Sequence, residues 1–315
     1  MLFNQASMAV EPTAQVERVT PVTATWPADW QTAQRDRTLS FEISSQHTGQ
    51  RYRILLGLPA CAAPKDGYPT VWALDGMASF PIMEAVRPQS VSCGEHKAWR
   101  NKPRPRDGLI VAIAHVSGKP FDVDARALDY TPFTTAKTGD FLSSQHGGAD
   151  QFLRFITEEL RPLIAQHFAL NLQQQTLFGF SYGGLFTLYA LSTQPQHFQR
   201  YWAASPSLWF GEHQTIKYLP QQLEKIDWSG YDVKVFITVG LDEQYPDSFS
   251  SPEVETKLGT RTMVDNAEQF AQLLRDFNRC ESKPFDVSFH SLPAHDHHDM
   301  LMHGARRVID FAFAQ

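Results

Sequence analysis

Short apolar runs alternate with helical periodicity along most of this chain. The runs at 51–58, 70–74, 109–114, 176–178, 201–204, 233–239 and 287–292 are rich in branched side chains and mostly continuous. Runs of that kind predict strands of a mostly parallel sheet buried on both faces. Between them, residues 150–168 set Phe152, Phe155, Ile156, Leu160, Leu163 and Ile164 on one helical stripe. Residues 262–280 do the same with Ala267, Phe270, Leu273, Leu274 and Phe277, and a closing helix is predicted over 299–313. The alternation predicts an α/β fold, a mostly parallel central sheet with helices on both faces. Three stretches break the pattern, 88–107, 115–148 and 243–259, all rich in Pro, Gly, Ser or charge. Two of them follow predicted strands, where an open α/β sheet builds its binding crevice.

Composition narrows the picture. With 315 residues, 42% of them hydrophobic, the chain can bury one large core. The pattern divides it into an N-terminal extension, 1–40, and a single catalytic domain, 41–315. A net charge of −6 argues against nucleic acid or an anionic membrane surface as partner. No apolar run reaches the roughly 18 residues of a membrane span. The opening MLFNQASMAVEPT lacks a basic start followed by a long apolar run. With no visible signal peptide the expected location is cytoplasmic, or periplasmic if this start is a mature or misassigned one. Cys61, Cys93 and Cys280 are widely spaced and odd in number, which suggests buried thiols. A Cys61–Cys93 bridge is the alternative in an exported protein.

Candidate chemistry centres on Gly179-Phe180-Ser181-Tyr182-Gly183, a G-x-S-x-G string. The bare string is weak, but 175–178 reads as a strand entering it and 184–191 as a helix leaving it. There the glycines permit a tight, strained turn that lifts Ser181 above the sheet as a nucleophile. The Tyr182 N–H falls at the helix start, where it can stabilise an oxyanion. A second donor is expected after an earlier strand, the N–H of Met77 in Asp75-Gly76-Met77, unless that segment is a simple Asp-Gly turn. The chain order serine, acid, histidine puts the base after the last strand, among His295, His297 and His298. The same HDHH string admits a metal reading, the weaker one because Ser–His chemistry already employs one histidine. The acid is expected past the strand 233–239, at Glu243 first and Asp242 second, to orient the imidazole. This chemistry needs no cofactor and no metal.

With these residues assembled, the sequence resembles the esterase-D-like family of α/β hydrolases, and within it the trilactone siderophore esterases that act on enterobactin, salmochelin or bacillibactin. The likeness rests on Leu74-Asp75-Gly76, the block from Arg126 through Asp129-Tyr130-Thr131-Pro132, and Gly147-Gly148-Ala149-Asp150-Gln151-Phe152. It continues through GFSYGG, Ser205-Pro206-Ser207-Leu208-Trp209-Phe210 and Val239-Gly240-Leu241-Asp242-Glu243-Gln244. It runs from about Arg51 onward and implies an α/β-hydrolase fold. The implied activity is hydrolysis of the ester bonds of an anionic catecholate siderophore, any iron belonging to the substrate. The alternatives are a carboxylesterase or thioesterase acting on small acyl or feruloyl esters, and a non-catalytic siderophore-binding protein.

The family's terminal motif aligns its histidine with His297, His298 being the alternative, while Ala294 and His298 stand where glycines are usual. The family's acid corresponds to Glu243. Arg126 matches an arginine that helps hold the catecholate, with an ion pair to Asp129 as the alternative. Trp209 is the second substrate-binding candidate. The run Arg100, Lys102, Arg104, Arg106 either adds a basic rim or is a solvated loop.

Overall fold

A computed structural model describes residues 36–87, 107–245, 260–281 and 285–314, without the side chains of 279–281. The basic run from Arg100 to Arg106, Cys93, the Cys280 side chain and most of 243–259 lie outside the described residues. So does nearly all of the N-terminal extension, and the architecture below is that of the unit Arg37–Gln315.

Eight strands form the sheet: β1 (Thr38–Ser44), β2 (Arg51–Gly57), β3 (Tyr68–Ala73), β4 (Leu109–His115), β5 (Leu170–Phe180), β6 (Arg200–Ala204), β7 (Val233–Gly240) and β8 (Phe285–Leu292). Their order is β1-β2-β4-β3-β5-β6-β7-β8. The β1–β2 and β2–β4 pairs are antiparallel and every later pair is parallel. The fold is thus the expected mostly parallel sheet, and all seven predicted strands are in it.

Helices cover both faces, as the continuous apolar runs require. They are α1 (Gly76–Val86), α2 (Val123–Tyr130), α3 (Ala149–Arg154), α4 (Arg161–Ala165), α5 (Tyr182–Thr193), α6 (Phe210–Lys217), α7 (Leu219–Glu224), α8 (Met263–Glu281) and α9 (His297–Ala312). Alternate strand residues feed two separate cores. Trp72, Val111, Leu177 and Tyr201 join one, with Phe186 of α5 and Phe270 of α8. Val71, Ile110, Phe178 and Trp202 join the other, with Met83 of α1 and Met300 of α9. Period-two alternation within an all-apolar run is what a sheet sandwiched between helices needs.

Three differences from the sequence reading have physical reasons. The apolar pattern does not predict β1: it is an edge strand whose side chains alternate between half-buried and exposed, so it lacks an apolar run. The single helix expected over 150–168 is α3 and α4 joined by a π-helical turn, Phe155–Leu160. Pro162, which has no N–H and crowds the carbonyl four residues earlier, gives that ladder a reason to widen. Cys61 is disulfide-bonded rather than a free thiol, through a partner outside the described side chains. Among the described residues no helix is long and apolar enough to cross a membrane.

Candidate active site

Ser181 sits between β5 and α5 at φ 59°, ψ −117°, backbone space that a serine seldom occupies. The turn is pinned by its N–H, which donates to the Ala204 carbonyl at 2.9 Å. Position 179 has to be glycine: a Cβ there would lie 2.0 Å from the Gly183 carbonyl oxygen. The strain is characteristic of a nucleophile elbow and holds the hydroxyl clear of the sheet.

His297 Nε2 lies 3.0 Å from Ser181 Oγ, and His297 Nδ1 lies 2.5 Å from Glu243 Oε2. Glu243 is 2% exposed and follows β7. Its second oxygen, Oε1, accepts from the Ser205 hydroxyl and, at 2.9 Å, from the Gly240 N–H. An ionised carboxylate only accepts, so Nδ1 carries the imidazole proton and Nε2 is left to accept from Ser181. Asp242 stands apart from this line; its backbone N–H donates to the His295 carbonyl at 3.2 Å.

His297 opens α9. The Asp296 side chain caps that helix, accepting from the N–H groups of His298 at 2.7 Å and Asp299 at 3.0 Å. The Phe180 ring packs on the imidazole with centroids 4.6 Å apart. His298 lines the same cleft without bonding Ser181. Ala294 takes φ 53°, which accounts physically for a position where glycine is usual. His295 Nδ1 lies 2.9 Å from the Pro293 carbonyl, His290 stacks on Phe236, and His303 lies against Trp202. Among the described residues no group of three or more His, Cys, Asp or Glu converges on a metal position.

Tyr182 is the first residue of α5 and Met77 the second of α1, so both N–H groups belong to first turns that lack an intrahelical partner. Asp75, before α1, takes the left-handed φ of 50°. Arg126 of α2 reaches over to it: Nε donates to Oδ1 at 3.0 Å and Nη2 to Oδ2 at 2.9 Å. The same Nη2 donates to the Phe180 carbonyl at 3.2 Å. The expected alternative, a pair with Asp129, is therefore overturned. Asp129 is buried and engaged with the Tyr52 hydroxyl and with His115 Nε2, each at 2.9 Å. Desolvation opposes the Arg126 charge, but the Asp75 carboxylate outweighs it and raises the guanidinium pKa.

These groups open onto a cleft of about 210 Å³. Ser181, His297, Arg126 and Trp209 line it, whereas Met77 does not. Sequence reasoning missed Ser205, which holds the acid, and Ser207, whose Oγ is 3.4 Å from Ser181 Oγ and whose N–H donates to the Ser181 carbonyl at 3.1 Å. Both sit directly after β6, and that placement was the available signal. Asp140 was missed too. Although burial opposes it, the Leu142 N–H and His146 hold its carboxyl below the usual range.

An elbow serine and residues gathered at the carboxyl ends of a β1-β2-β4-β3-β5-β6-β7-β8 sheet define an α/β hydrolase. The family model described as "Putative esterase" matches residues 45–292, and the chain belongs to that esterase family. It is 32% identical over 209 residues to the ferri-bacillibactin esterase BesA of Bacillus subtilis, covering 64% of this chain and 70% of that protein. It is 31% identical over 227 residues to the siderophore triacetylfusarinine C esterase of Aspergillus fumigatus, covering 67% and 71%. Among solved structures it resembles the BES protein of Bacillus cereus, with a TM-score of 0.73 at 26% identity over 91% of this chain and 100% of that one. The siderophore hydrolase EstB of Aspergillus nidulans gives the same TM-score, 0.73, and the same identity, 26%, over 90% and 97%.

Proposed function

We propose that this esterase hydrolyses the ester bonds of a siderophore, a catecholate trilactone of the enterobactin type, through Ser181, His297 and Glu243. The observation that carries the reading is the unbroken line from Glu243 through His297 to Ser181, the last two of which line the cleft. The relatives' siderophore substrates support the substrate class. In this reading residues 41–315 act as one catalytic domain.

The Ser181 oxygen attacks the ester carbonyl as its proton passes to His297 Nε2, and Glu243 stabilises the imidazolium that forms. The Tyr182 N–H, at the head of α5, and the Met77 N–H hold the tetrahedral oxyanion. His297 returns the proton to the departing seryl alcohol. It then draws one from the water that resolves the acyl-enzyme.

The test is incubation with iron-free and ferric trilactones and with a hydroxamate siderophore ester, followed by mass spectrometry. Ring-opened products that gain one water per cleaved bond, absent with Ser181→Ala, are expected. Cleavage of short esters with every siderophore left intact would overturn the substrate class.

A further inference from the structure

Among the described residues, the carboxylate and guanidinium side chains lining the cleft are hydrogen-bonded in all but one place. Arg126 is held by both oxygens of Asp75. Asp140 is hydrogen-bonded to His146 at 3.1 Å. Arg261 also lines the cleft, yet among the described residues its guanidinium meets no carboxylate and makes no hydrogen bond. What it meets is an aromatic face: its Cζ lies 4.4 Å from the Trp209 ring centroid. Trp209 is only 9% exposed, and a Cβ on Gly139 would lie 3.3 Å from its Cε3. The indole is a buried platform, and the cation resting on it keeps its donors for something else.

The backbone that presents Arg261 is built for the purpose. Thr262, a β-branched residue, takes φ 43°, a conformation that persists only where its surroundings enforce it. Asn266, 5% exposed, enforces it. Its Nδ2 donates to the Arg261 carbonyl at 2.9 Å and to Thr262 Oγ1 at 3.0 Å, and its N–H to the Thr262 carbonyl at 3.0 Å. The positive charge is felt across the cleft wall: burial and then Asp140 raise the Tyr182 phenol pKa, and Arg261 pulls it the other way.

We propose that Arg261, carried on Trp209, is the specificity residue of this cleft and binds an anionic oxygen-bearing substituent of the ester substrate, a carboxylate or an aromatic phenolate, beside the ester at Ser181. The guanidinium fork offers paired, always-charged donors to such a group. Arg126 serves a different purpose: its fork is spent on Asp75, so it fastens α2 to the turn before α1. The assignment rests on the reading that esters are cleaved at Ser181 in this cleft.

Two measurements separate the two ideas. Loss of p-nitrophenyl acetate hydrolysis in Ser181→Ala tests the reading. Calorimetric binding of isophthalate and of its neutral counterpart isophthalamide tests the inference without any turnover. The protein should prefer isophthalate, and Arg261→Gln should shrink that preference about ten- to a hundredfold, the worth of a charge-assisted contact. Arg261→Lys, which keeps charge and stem, should recover part of it, and the charge-conserving pair Asp75→Asn with Arg126→Gln should leave the preference standing. No preference in the unaltered protein, an unchanged preference in Arg261→Gln, or a collapse in the Asp75→Asn/Arg126→Gln pair instead would overturn the assignment.

Discussion

Glu243 has two oxygens and two tasks. Oε1 is fixed by the Ser205 hydroxyl and the Gly240 N–H, and this turns Oε2 toward His297. An amide in its place presents the wrong donor to Nδ1–H and spoils the tautomer. Glu243→Gln should therefore lower kcat by about 10⁴, the loss seen when a triad acid becomes an amide. Asp242→Asn should change little. Ser205→Ala should fall between them, with kcat reduced while KM for a small ester holds. Steady-state kinetics on purified variants decides it, and a loss under tenfold for Glu243→Gln would mean that Ser181 and His297 act without an acid. Arg126 makes a different kind of prediction. Removing it strands a carboxylate that is only 2% exposed. Breaking one side of a buried pair costs about 3–5 kcal/mol. Arg126→Ala should lower Tm accordingly in thermal unfolding, and Asp75→Asn with Arg126→Gln together should restore much of it.

At the scale of elements, the site is an exercise in strand ends. β3, β5, β6, β7 and β8 each deliver a residue within a few positions of their carboxyl termini: Asp75, Ser181, Ser205, Glu243 and His297. A second tight joint lies between the ends of β7 and β8, where a Cβ on Gly240 would lie 2.1 Å from the His295 carbonyl oxygen. Gly240→Ala should push the two turns apart, lowering both Tm and kcat, whereas a kcat equal to that of the unaltered protein would refute the joint.

Much of this arrangement was legible in the sequence, because continuous apolar runs mark buried strands and chain order assigns roles at their ends. Ser181 and the placement of an acid after β7 followed from that logic. The choice of Glu243 over Asp242 is decided by the 3₁₀ turn Leu241–Glu243, whose direction no periodicity reveals. α2 was hidden in a stretch read as irregular, since Val123–Tyr130 is only 8 residues long, about two turns, too short to display a helical period. The Arg126–Asp75 pair was beyond reach for a plainer reason. It joins residues 51 apart, while a sequence reading looks to a carboxylate within one helical turn, Asp129.

For the molecule as a whole, acid should be a weakness. His197 has its pKa pushed down to about 4, by burial first and the Arg161 charge second. It is neutral in the fold, whereas the unfolded chain takes up that proton below its ordinary value of 6.5. The stability it contributes is whole above about pH 6.5 and is lost as pH falls toward 4. Unfolding midpoints measured across that window should flatten in His197→Gln, and an identical slope would remove His197 from the account.

Helix α9 is fastened at both ends, by Asp296 at its start and by buried Arg200, whose Nη1 donates to the Phe311 carbonyl at 2.5 Å and the Ala312 carbonyl at 3.2 Å. His297 stands in its first turn, 116 residues after Ser181. In the proposed mechanism the serine is therefore synthesised well ahead of the base that activates it. A product clipped ahead of Asp296 never acquires that base. Hydrolysis by this mechanism thus waits on α9, the last element of the fold, being seated on the sheet.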